Sequence, residues 1–207
     1  MKKVKILFII AFAIIGALLI YNHFDKKEKY IDKPNPILKD YNITNEDVVF
    51  VSKSIDEIIN AIGSDYAIIF MCTPETVWCQ KYANILNDVA IEKDIDKILY
   101  LNIRTERSMN TMKYQKLVNL LSDILRVDDS GEKRIYMPEV LFIKNGRVIA
   151  HDNETSIVTS DTSVEEYYTI EKENEIKERL AGYIDLLNSD DTNETNETVI
   201  EMKESEE

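Results

Sequence analysis

At 207 residues and 44% hydrophobic content the chain can bury one ordinary core and not two, and its 5 glycines and 4 prolines are too few for the closely spaced turns of an all-β protein. A formal net charge of -13 argues against nucleic acid as a partner, because phosphate binding needs a basic face, and it opposes docking on anionic lipid. One α/β or α+β domain with tails is the expectation.

The chain opens with Lys2, Lys3 and Lys5, followed by an uncharged run from Ile6 to Ile20. Residues 4-24 supply the ~20 residues that a helix needs to cross a bilayer if Lys5 snorkels to the lipid surface. Residues 1-25 are therefore read as an uncleaved signal anchor. The alternative is a cleaved secretory signal, with an apolar region of ~7 to 15 residues and a small-x-small site. The stretch "GALLIYNHF" offers no convincing site of that kind. Lysines before the span stay in the cytoplasm, so the expectation is a single-pass protein of the cell membrane with its C-terminal domain extracytoplasmic. Disulfides persist there, which makes the only two cysteines, Cys72 and Cys79, candidates for one bridge.

Residues 26-45 carry charge and prolines and read as a tether, and residues 46-188 as the domain. "DVVFVS" predicts a strand, and "SIDEIINAIG" a helix with Ser54 as cap, Glu57 three positions on, and Gly63 at its end. "YAIIFM" (66-71) is apolar throughout, as a strand covered on both faces should be. "CQKYANILNDVAIEKD" places Tyr82, Ile85, Leu86 and Val89 on one helix face, "KILYLNI" (97-103) is a second buried strand, and residues 108-125 predict a longer helix. In "IYMPEVLFIKNGRVIAHD" two strand-like segments flank Asn145-Gly146, a hairpin signal. Residues 152-168 make a long polar connection, either functional or mobile, before a last helix with Ile176, Leu180, Tyr183, Ile184 and Leu187 on its apolar face. Residues 189-207, acidic and without aromatics, read as a disordered tail. The Asn-x-Thr sequons, Asn42 and Asn153 among them, matter only in a host that glycosylates exported proteins.

The order β-α-β-α-β-α-β-β-α, with "CQKYANIL", "LYLNIR" and "MPEVLFIKNGRV" in sequence, resembles the thioredoxin-like superfamily. The resemblance implies an α/β thioredoxin-like fold, a central mixed β-sheet flanked by helices, here behind an N-terminal transmembrane helix. "CQKYANIL" looks like the helix that starts at the family's second cysteine, with Asn84 where a proline is usual. It also implies an attacking cysteine at a helix N-terminus, a second cysteine that resolves the mixed disulfide, and a cis-proline beside them. In this register Cys79 takes the resolving position and the attacking position falls on Thr76. A second register makes Cys79 the nucleophile, with Tyr82 at the resolver's place. Ile69 stands where family members often carry a buried acid.

Carried over in this way, the catalytic candidates are Cys79 and Cys72, a non-standard C-x6-C pair. Met137, Pro138 and Trp78 are the candidates for binding substrate. The bland readings stand beside these: a structural disulfide or two buried thiols, a trans proline on an edge strand, and a packing tryptophan. No P-loop or dinucleotide fingerprint is present, so no cofactor is expected. His23 and His151 are too far apart to suggest a metal site, and pairs such as Asp128-Asp129, Glu165-Glu166 and Asp190-Asp191 read as solvated charge. The expected activity is thiol-disulfide exchange on exported protein or peptide thiols and disulfides. The alternative is a binding or accessory module on the same scaffold that has lost catalysis.

Overall fold

The computed structural model describes residues 36–128, 130–154 and 162–189. The anchor expected over residues 1-25, residues 26–35 of the tether and the acidic tail from residue 190 onward lie outside the described residues. Among the described residues no helix is long and apolar enough to cross a membrane.

Five strands form one mixed sheet: β1 (Phe50–Ser52), β2 (Tyr66–Cys72), β3 (Ile98–Asn102), β4 (Glu139–Lys144) and β5 (Arg147–Asp152), in the order β1-β3-β2-β4-β5. β1 and β2 run parallel to β3, β4 is antiparallel to β2, and β5 is antiparallel to β4. β2 is buried from Ala67 to Cys72, as its unbroken apolar run requires of a central strand with both faces covered. The β4-β5 turn has Asn145 at φ 51° and Gly146 at φ 71°, the left-handed pair that a two-residue hairpin needs. Its amides also dock on the entry to β2, Asn145 N donating to Asp65 O and Gly146 N to Ser64 O, each at 2.9 Å.

Period-two alternation divides the core. Ile68, Phe70 and Cys72 share one cluster with Cys79, Tyr82, Val140, Phe142, Ile176 and Leu180, whereas Ala67, Ile69 and Met71 share the other with Ile58, Leu117 and Leu141. Helices α3 (Val77–Glu92) and α7 (Ile170–Asn188) pack together and cover the first face. Helices α2 (Ile55–Ile62) and α5 (Met112–Leu120) cover the second. α2 begins with the capping box expected from Ser54 and Glu57. Three short helices complete the list: α1 (Pro36–Asp40), α4 (Arg104–Ser108) and α6 (Val164–Tyr167).

Three expectations need correction. The stretch read as tether up to residue 45 contains α1 and buries Ile37, Tyr41 and Ile43 in the same cluster as the cysteines. Its charge and prolines hid three apolar residues whose anchor lies far along the chain. Asn84 Oδ1 accepts from Thr44 N at 3.0 Å, and Asn84 Nδ2 donates to Tyr41 O, Asn42 O and Gln80 O. The helix expected over 108-125 is shorter, because Asn110 turns left-handed at φ 46° and Thr111 caps a new start at Tyr114 N. Ile69 does not face the cysteines. Phe70 and Ile68 form the wall on that side, so the surroundings stay apolar although the residue named changes.

Candidate functional site

The site is built where β2 ends and α3 begins. Cys72 is the last residue of β2, and Cys79 is the third helical residue of α3 after the N-cap Thr76. They form a disulfide with Cα atoms 5.9 Å apart, the separation that bridging requires. The six residues between them make the turn. Thr76 N and Thr76 Oγ1 both donate to Thr73 O, and Gln80 Nε2 reaches back to Pro74 O at 2.7 Å. Glu75 accepts from the Thr73 hydroxyl and pairs with Arg104 at 2.7 Å, which ties the turn to α4. Burial pushes the Glu75 carboxyl up, but the bond and charge of Arg104 outweigh it and hold the group below the usual carboxylate range.

Both cysteines are 0% exposed. The Thr73 amide donates to Cys79 Sγ at 3.4 Å. Beneath them lies an aromatic floor: Phe70 stacks on Tyr82 with centroids 6.2 Å apart and meets Tyr41, Phe50 and Tyr100 at 5.4 to 6.0 Å. Tyr41 donates to the Tyr100 hydroxyl at 3.0 Å. Burial pushes Tyr100 up to about 12 and Tyr82 well above its ordinary value, so these phenols stay protonated.

The Met137-Pro138 peptide is cis, as the resemblance implied. Met71 pairs with Glu139, and continuing that antiparallel register by one residue brings Cys72 level with Pro138. Pro138 is buried and Met137 half-buried, packed against both core clusters. Trp78 is half-buried and sits against Tyr167 and Tyr168 at centroid distances of 5.3 and 5.6 Å.

Two charged groups next to this site were missed in the sequence. Glu139, 1% exposed, receives His151 Nδ1 at 2.9 Å and Asn153 Nδ2 at 2.7 Å, on the sheet face away from Cys79. Burial raises the Glu139 carboxyl, and the bond to Glu139 raises His151. A glutamate inside "PEVLFIK" was a legible sign of a buried carboxylate. On the cysteine face Arg179 bonds Asp152 at 2.8 Å and also Glu154, while Glu154 accepts from Tyr167 and pairs with Lys172 at 3.3 Å. Nothing in spacing alone links Arg179 to Asp152. Among the described residues no group of three or more His, Cys, Asp or Glu could hold a metal ion.

A five-stranded mixed sheet with helices on both faces, a disulfide at the junction of the central strand and its following helix, and a cis-proline alongside fit a thioredoxin-like fold. No protein-family model matches the chain, and no curated protein matches it. Among solved structures, one similar chain is a candidate oxidoreductase with a thioredoxin fold, at 16% identity and a TM-score of 0.37, covering 57% of this chain and 89% of that one.

Proposed function

We propose that the protein is a membrane-anchored, extracytoplasmic thioredoxin-like protein that carries out thiol-disulfide exchange on exported proteins or peptides through Cys72 and Cys79. The observation that carries the reading is the disulfide between the end of β2 and the first turn of α3. A substrate thiolate that attacks Cys72 Sγ forms a mixed disulfide and expels Cys79 as a thiolate. Cys79 is the better leaving group because it sits among the unpaired amides of a helix start and receives the Thr73 amide. A second substrate thiol then displaces Cys72. Two electrons and two protons have passed from the substrate dithiol to the cysteine pair, and the reverse sequence reduces a substrate disulfide. Anchoring through residues 4-24 would hold the pair at the outer membrane surface, where exported chains emerge.

A second reading is a binding scaffold with a structural disulfide. It is favoured by one observation, that both sulfurs are fully enclosed in an apolar cluster with Phe70 and Ile68. Trapping separates the two. Cys79→Ser should leave Cys72 free to hold a substrate as a mixed disulfide that survives alkylation and is released by reductant. If neither Cys79→Ser nor Cys72→Ser captures any partner, and the wild type reduces a protein disulfide no faster than small thiols do, the scaffold reading stands.

A further inference from the structure

Residues 134–138 lead into β4 outside any helix or strand, and side chains from three other parts of the chain hold their backbone. Tyr114 of α5 accepts from Ile135 N at 3.3 Å, and Arg107 of α4 donates from Nε to Ile135 O at 3.0 Å. Asn153, just past β5, donates from Nδ2 to Tyr136 O at 2.9 Å. Its amide is fixed in that orientation, because Nδ2 also donates to Glu139 Oε2 at 2.7 Å, and the amide oxygen could pair with neither a carbonyl nor a carboxylate. This loop runs alongside a cysteine. Cys72 has Asn102 of β3 as its partner on one side, and the register that pairs Met71 with Glu139 brings Pro138 level with it on the other. The start of α4 also holds the end of β2: Ile103 N donates to Cys72 O at 3.3 Å, and Arg104 pairs with Glu75 in the turn that follows.

We propose that Arg107 and Asn153 are positioning residues: by fixing the carbonyls of Ile135 and Tyr136 they set Met137 and Pro138 as the surface along which an extended polypeptide lies while its sulfur reacts at Cys72. The inference rests on the redox reading and names what that site selects, polypeptide over small-molecule disulfides. A small disulfide needs only the sulfur, whereas a chain that reaches Cys72 must also cross the residues level with it. The two ties come from opposite flanks of the sheet order, since α4 follows β3 and Asn153 follows β5, so the loop is held between them. A residue that acts on binding alone changes the concentration at which a substrate saturates and leaves the limiting rate as it was.

The test is single-turnover oxidation of the fully reduced chain at increasing substrate concentration, followed by alkylation and intact mass. The substrates are two extended peptides joined by a disulfide between central cysteines and, for comparison, oxidised glutathione. Two electrons and two protons pass from Cys72 and Cys79 to the substrate, whose disulfide becomes two thiols as the Cys72-Cys79 bridge forms. Arg107→Ala and Asn153→Ala should each raise the half-saturating peptide concentration about tenfold, the factor that losing one such hydrogen bond sets, with the limiting rate within about twofold of the wild type. The rate with oxidised glutathione should not change. Lys93→Ala, which breaks the Lys93-Asp185 pair between α3 and α7, should leave both reactions as they are. The proposal is overturned if both variants saturate with peptide as the wild type does, if the limiting rate falls instead, or if the glutathione reaction slows by the same factor. Should Asn153→Ala lose its native circular dichroism, Arg107→Ala alone decides. A wild type that exchanges with neither substrate sinks the redox reading and the positioning role with it, whereas a wild type that exchanges while both variants match it sinks the positioning role alone.

Discussion

Replacing both cysteines, Cys72→Ala with Cys79→Ala, removes a cross-link between positions separated by 7 in sequence. The closed loop then holds eight residues, and the chain-entropy relation gives about 2.5 kcal/mol of stability from constraining the unfolded chain. For a domain of this size that corresponds to a fall in Tm of about 5 to 10 °C. Urea unfolding followed by tryptophan fluorescence is a direct assay, since the single Trp78 lies one residue from the bridge. The reduced wild type should behave as the double variant does, within the small cost of exchanging two buried thiols for methyl groups. The same quantity must appear in the redox equilibrium. A bond that stabilises the fold by about 2.5 kcal/mol lies about 50 mV lower in potential in the folded chain than in the unfolded one. If oxidised and reduced proteins unfold within about 0.5 kcal/mol of each other, the bridge does not constrain the unfolded chain as a short covalent loop must, and the reasoning from loop closure fails.

Phe70→Ala should cost about 3 to 5 kcal/mol, because the ring is 1% exposed and meets four other aromatic rings that cannot all collapse into its space. Thermal unfolding of the oxidised variant measures it. Asn87→Ala should cost about 2 to 3 kcal/mol, since the fully buried amide accepts from Val49 N and donates to Asp47 O, leaving both without partners; faster amide exchange at Val49 reports the same loss locally. The Glu139-His151 pair predicts a pH dependence. His151 is raised above its ordinary 6.5 by the Glu139 bond, so its contribution is complete below that value and is lost as pH rises through the raised one. Glu139, raised by burial, acts in the same direction from 4.5 upward. Asp152 pushes both groups further up and Arg126 opposes the shift at His151. Unfolding free energy should therefore fall as pH rises above 6.5, and His151→Gln should flatten that slope in urea titrations at successive pH values.

The fold was legible because its strongest signals are local. An unbroken apolar β2, the Ser54-Glu57 cap, the Asn145-Gly146 turn and the Met-Pro dipeptide before β4 each depend on neighbours in sequence, and each is where the residues predict it. What escaped depends on distant partners. Ile37, Tyr41 and Ile43 join the core on a segment that Asn84, some forty residues on, ties down through Tyr41 O, Asn42 O and Thr44 N. Ile69, which the resemblance places at the family's buried-acid position, belongs to the other cluster, and Phe70 and Ile68 line the side of the cysteines, because alternate residues of a strand face opposite ways. The candidate pair itself was readable from two cysteines flanking a helix start. Its enclosure was not, because both sulfurs are buried in a cluster drawn from distant stretches of the chain, Tyr41, Phe70, Val140 and Tyr168 among them.

The central claim, that Cys72 and Cys79 are a working redox pair, is tested most directly by the midpoint potential of the full chain in a graded glutathione series, read as the fraction alkylated by intact mass. The account predicts a reversible two-electron transition above about -300 mV, within reach of thiol partners. A bond that stays oxidised down to and below about -300 mV would mark it as a structural staple and contradict the account.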